Sequence, residues 1–129
     1  MAVAHRNGAF STLNEDQARR VICQNLAELF LKGTCTVRVR RLPDEDRLTF
    51  LAEDHNRWQA AEGMDYHGQP AQQLAAALLA VGVKRGKDMH VSIASSGNHE
   101  DITIGFHKEA VANHRGNLAQ YVMGQLFWD

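Results

Sequence analysis

Apolar residues first recur at helical intervals. Ala18, Val21, Ile22, Leu26, Leu29 and Phe30 share one stripe of a 3.6-residue helix, with Glu15, Asp16, Arg19, Arg20, Gln24 and Glu28 opposite. Thr12 and Glu15 have capping-box spacing and Gly33 supplies a stop, so the pattern predicts a helix through Phe30. The period then falls to two. Cys35, Val37 and Val39 alternate with Thr36, Arg38 and Arg40, and beyond Pro43-Asp-Glu-Asp46 the alternation resumes with Leu48, Phe50 and Ala52. This is a β-hairpin. Setting Leu42 across from Arg47 opposes Val39 to Phe50 and Val37 to Ala52 on an apolar face, and Arg40 to Thr49 and Arg38 to Leu51 on a polar one.

The middle of the chain is less regular. Asp54 has the position of a helix cap, with Trp58 and Ala61 inside a short helix and Gly63 ending it. Residues 64–68 read as a loop, after which Pro70 opens an alanine-rich helix carrying Leu74, Leu78, Leu79 and Val81 up to Gly82. A second hairpin follows: Met89, Val91 and Ile93 against Ile102, Ile104 and Phe106, across Ser95-Ser-Gly-Asn-His-Glu100. Matching the apolar faces pairs Ile93 with Ile102, Val91 with Ile104 and Met89 with Phe106. It leaves His90 opposite Gly105 and diagonal to His107. Residues 108–127 are helical in character, broken near Asn113-His-Arg-Gly-Asn117, with Leu118, Tyr121, Val122, Leu126 and Phe127 as the last apolar stripe.

The predicted architecture is α+β: a four-stranded antiparallel sheet from two β-hairpins, covered on one face by three or more helices. Residues 1–11 have no period and are expected to be a flexible arm with Phe10 as a point of attachment, ahead of a single domain over 12–129. At 129 residues, 44% apolar and 22% charged, the chain is expected to bury a core without staples and to stand apart from disordered sequences. A net charge of −1 argues against a protein that holds nucleic acid by bulk charge. Cys23 and Cys35 fall inside apolar patterns, which suggests reduced thiols. With no signal peptide or membrane-length apolar run, the reading is a cytoplasmic protein with no membrane partner.

Antiparallel sheets tolerate one wet face, so the period-two pattern gathers Arg38, Arg40, Thr49, His90, Ser92, Thr103 and His107 into one exposed surface. Seven histidines prompt a search for acid–base or metal chemistry, but no grouping reaches a zinc-ligand spacing. No phosphate loop, nucleophile elbow or dinucleotide fingerprint is present either. The catalytic, metal and cofactor expectation is therefore none. Arg38, Arg40, Arg41 and Arg47, with Lys84, Arg85 and Lys87, could contact phosphates or an acidic partner, although Asp44, Glu45 and Asp46 dilute the first cluster and the outward strand positions offer no rings for base stacking. Trp58 and the terminal Trp128 are candidate interface anchors, the alternative for the tail being docking on its own core.

The leading expectation is a non-enzymatic protein-binding or regulatory module of inhibitor, immunity or adaptor type, acting through Arg38, Arg40, His90, His107, Trp58 and Trp128. Its partner is expected to be another protein, and a homodimer is one form that takes. The alternatives are a nucleic-acid-binding protein using the basic hairpin and a small histidine- or metal-dependent hydrolase.

Overall fold

The computed structural model describes residues 12–128, so the arm expected over 1–11 lies outside the described residues. Helix α1 spans Glu15–Leu31. Its cap is not the predicted Thr12 with Glu15. Asn14 accepts from the Gln17 N–H at 2.8 Å while the Gln17 side chain accepts from the Asn14 N–H at 3.0 Å, the same box moved two residues on. Glu15 and Asp16 then lie in the first turn, at the positive end of the helix dipole, and pair with Arg19 and Arg20 one turn later.

The strands are β1 (Thr36–Leu42), β2 (Arg47–Asp54), β3 (Arg57–His67), β4 (Lys84–Arg85), β5 (Met89–Ser96) and β6 (His99–Phe106). They form one open antiparallel sheet in the order β3-β2-β1-β6-β5-β4. Each half of the chain contributes a three-stranded meander, and β1 joins β6 at the centre. Both predicted hairpins keep their register, with Val39 opposite Phe50, Arg38 opposite Leu51, Val91 opposite Ile104 and His90 opposite Gly105. Among the described residues the sheet has six strands and not four, because two stretches escape the period-two test.

The first is β3, where a helix capped by Asp54 and a loop over 64–68 were expected. His55 and Asn56 both take positive φ, 51° and 65°, the two-residue geometry that folds a strand back on its neighbour. The chain therefore reverses where a helix would have begun. β3 then runs as an edge strand with a register shift opposite Thr49–Leu51, and Gly63 at φ 78° lies within the irregularity. Beyond it Met64 and Tyr66 are fully buried. The second is β4, two residues long and paired through Lys84 with Val91 and Arg85 with His90.

Among the described residues four helices complete the α+β fold: α1, α2 (Gly68–Val81), α3 (Lys108–Asn113) and α4 (Leu118–Phe127), α2 starting two residues before Pro70. The core lies between them and one sheet face, where Ile22, Leu26, Val37, Phe50, Leu74, Ile104 and Val122 are buried. Asn25 is buried with them. Its side-chain amide donates to the Tyr66 hydroxyl at 2.7 Å, which ties α1 to β3 and answers a polar group that would otherwise be costly to desolvate. Both cysteines are free, and burial pushes the Cys23 thiol up to about 12, which keeps it protonated and unreactive near neutral pH. No helix among the described residues is long and apolar enough to cross a membrane.

Candidate functional site

The opposite face of the sheet carries the polar residues the alternation predicts. Arg38 and Arg40 project from β1, and pairing of β1 with β6 sets Thr103 beside Arg38 and Asp101 beside Arg40. Arg40 grips Asp101 through two nitrogens at 2.8 and 3.0 Å, a bidentate pair. Arg38 donates to the Thr103 hydroxyl at 3.4 Å and lies 3.8 Å from the same carboxylate, with His99 3.7 Å away. The Arg40 hydrogen bond outweighs partial burial and holds the Asp101 carboxyl below the usual carboxylate range.

Trp58 enters from β3. The Arg38 guanidinium carbon stands 4.0 Å from the centre of the indole ring, a stacked cation–π contact. Leu51 and Ala60 face each other across the β2–β3 pair beside it. Toward the other end of β2, Arg47 and Thr49 both donate to Asp65, at 3.0 and 2.7 Å, and His67 approaches it at 3.3 Å. Partial burial pushes the Asp65 carboxyl up, but the hydrogen bonds from Arg47 and Thr49 prevail and its pKa is lowered. On the helix-covered side of the same strands, opposite to Arg38 and Arg40, Arg41 donates to Glu100 at 2.8 Å.

These contacts bear on the basic hairpin. Arg40, Arg41 and Arg47 each hold a carboxylate of this chain, so the positive charge predicted for phosphate contact is largely compensated in place. What remains is a mixed-charge surface with one half-buried aromatic ring, Trp58, reaching Arg38 from the edge strand.

His90 and His107 lie on the same side of the sheet but at the β4–β5 end, where they line a cleft with Arg85, Asp88 and Phe106. The opposition of His90 to Gly105 is close: a Cβ at position 105 would fall 2.3 Å from the imidazole. The ring lies over the glycine, where only a bare backbone leaves room for it. Trp128 is elsewhere. It is 72% exposed, follows α4 and lines a groove between α1 and α4 with Cys23, Gln24 and Met123. The six residues picked from the sequence thus divide into an arginine–tryptophan patch, a histidine cleft and a separate terminal tryptophan.

The sequence reading missed Asp101 and Asp65 as partners, and Arg85 as a neighbour of His90. Asp101 was reachable from the pattern alone, since it falls on the polar face of its hairpin. Its meeting with Arg40 depends on the β1–β6 pairing, which joins residues 61 positions apart. Among the described residues no three or more His, Cys, Asp or Glu side chains come together in a way that could hold a metal ion. The class defined by fold and site is an α+β protein with an open antiparallel sheet whose uncovered face is polar. No protein-family model matches the chain, and neither a curated protein nor a solved structure matches it.

Proposed function

We propose that the chain is a non-enzymatic protein-binding module whose contact surface is the open face of the sheet, centred on Trp58 and Arg38. The observation that carries this reading is the stacked pair itself. Tryptophan and arginine are the residue types most enriched where interfaces concentrate their binding energy. Here each already has a fixed position, because the indole and guanidinium order each other at 4.0 Å. Fixing rotamers before contact lowers the entropy a partner must overcome, by about 0.5–1.5 kcal/mol for each long side chain immobilised.

The surrounding charges serve specificity more than affinity. Alternating arginines and carboxylates, each already hydrogen-bonded, present a defined pattern of potential that a complementary protein surface matches and a wrong one does not. The nucleic-acid reading has less support, because phosphate binding would have to displace Asp101, Asp65 and Glu100 from their arginines.

The test compares the wild-type protein with Trp58→Ala and Arg38→Ala in capture of a binding partner after nuclease treatment. Arg40 is unsuited to charge reversal, since a glutamate there would face Asp101. The proposal expects one protein bound in stoichiometric amount by the wild type and lost from both variants. Equal retention by Trp58→Ala would remove this face from the account.

A further inference from the structure

The cleft at the β4–β5 end has a volume of about 300 Å³ and is lined by Arg85, Gly86, Asp88, Met89, His90, Phe106 and His107. Three basic residues line it from three different parts of the chain. Arg85 and His90 are cross-strand partners, so their Cβ atoms are separated by about 4.5–5.5 Å. His107 follows β6 as the residue before α3, and its N–H donates to the Asp88 carbonyl oxygen at 2.8 Å. The turn between β4 and β5 is closed by the Gly86 N–H donating to the Met89 carbonyl oxygen at 2.8 Å. The backbone around the cleft is therefore fastened on both sides.

The position of His90 is set by Gly105 beneath it. The acidic member of the lining is also engaged: the Tyr121 hydroxyl, from α4, donates to Asp88, while His114 stacks parallel on the Tyr121 ring at 3.6 Å. Burial, with the Asp88 carboxylate beside it, pushes Tyr121 up to about 12, so it remains a donor across the neutral range.

We propose that this cleft is a proton-dependent binding site for a dianionic, tetrahedral oxyanion of the phosphate class. Formal charge gives the reason. Arg85 and Asp88 cancel, so the lining is balanced while both imidazoles are neutral and gains two positive charges when they protonate. Imidazole changes charge between about pH 5 and 8. Along the chain the lining is adjoined by the charged residues Lys87, Lys108 and Glu109. Donors converging from β4, from β5 and from the start of α3 suit a tetrahedral anion better than a planar carboxylate, which a single arginine fork already satisfies. A metal ion is the poorer occupant, since two histidines fall short of the three or four ligands a zinc site requires.

The site does not rest on the protein-binding reading, because neither Trp58 nor Arg38 lines it. The experiment titrates inorganic sulfate, a dianion throughout the neutral range, against the full chain at constant ionic strength, following the imidazole resonances of His90 and His107. The resonance of His55, which is 93% exposed in the β2–β3 turn, reports non-specific ionic effects. At about pH 6 the proposal expects saturable shifts of both cleft histidines with His55 unmoved, at least about tenfold weaker binding at about pH 8, and loss of the response in Arg85→Gln. Gly105→Ala, which must push the imidazole aside, should weaken binding at both pH values. Unsaturable shifts shared with His55, or full binding by Arg85→Gln, would overturn the proposal. Trp58→Ala, altered only at the other patch, should bind sulfate as the wild type does.

Discussion

Two regions of one sheet face treat charge in opposite ways. Across β1, β2 and β3, Asp101 is shared by Arg38 and Arg40, and Asp65 by Arg47, Thr49 and His67, so the charges are compensated within the fold. Across β4, β5 and the end of β6, the single carboxylate of the lining is bound to Tyr121, and the balance depends on whether His90 and His107 carry protons. A surface compensated by fixed ion pairs keeps its pattern over a wide pH range, which suits recognition of a shaped partner. One whose charge rests on imidazoles changes with pH, which suits a small anion. The difference between the two regions comes down to where carboxylates fall along the strands.

The comparison breaks first at Arg40. Arg40→Ala leaves Asp101, whose side chain is 14% exposed, without its bidentate partner, and should cost about 1–3 kcal/mol in urea denaturation. A change under about 0.5 kcal/mol would mean the compensated region is held by packing alone.

Acid is the next probe. Both Asp101 and Asp65 have folded-state pKa values lowered from the usual carboxylate value. Their stabilising effect is therefore present above the unfolded value of about 3.9 and is lost as pH falls through the folded ones. Urea midpoints should fall steadily below about pH 5, and Asp101→Asn should flatten part of that fall while lowering stability at neutral pH.

The smallest expected effect on stability belongs to Gly105→Ala. The atom in the way belongs to the outer end of an exposed side chain, so the imidazole swings outward and the strand keeps its register. Thermal unfolding should shift by the equivalent of under about 1 kcal/mol while the environment of His90 changes. A large loss of stability would show that the ring is held more tightly than its exposure implies.

How much of this was legible in the sequence depends on periodicity. The two hairpins kept their predicted registers because one face of each is continuously buried, and a one-residue slip would expose Val37, Val39, Ile102 and Ile104. β3 was illegible for the opposite reason: its first half is an edge with most side chains exposed, so nothing forces alternation, and a bulge separates that half from buried Met64 and Tyr66. The turn before it uses His55 and Asn56 at positive φ in place of the Asn-Gly that usually marks such a turn. β4 is too short to have a period at all. The site followed suit. Arg38, Arg40, His90 and His107 were found because they sit on or beside legible strands, whereas the Trp58 stack and the Arg85–His90 pair depended on β3 and β4. Trp128 was chosen for its character as an aromatic residue near the chain end, and its exposed position beside α4 gives it no link to the sheet face.

The central claim is that the Trp58–Arg38 stack organises a protein-binding surface, and the most direct measurement is side-by-side capture by immobilised wild-type protein and Trp58→Ala. Both would be exposed to nuclease-treated lysate of the cells that make the protein, at moderate salt, with folding of the variant checked by its urea midpoint. The account predicts one protein retained by the wild type at a fixed ratio and reduced at least about tenfold on the variant, since truncating a central aromatic commonly costs 2 kcal/mol or more at an interface, roughly a thirtyfold change. Retention of the same protein by both, or retention only of material that nuclease removes, would contradict it.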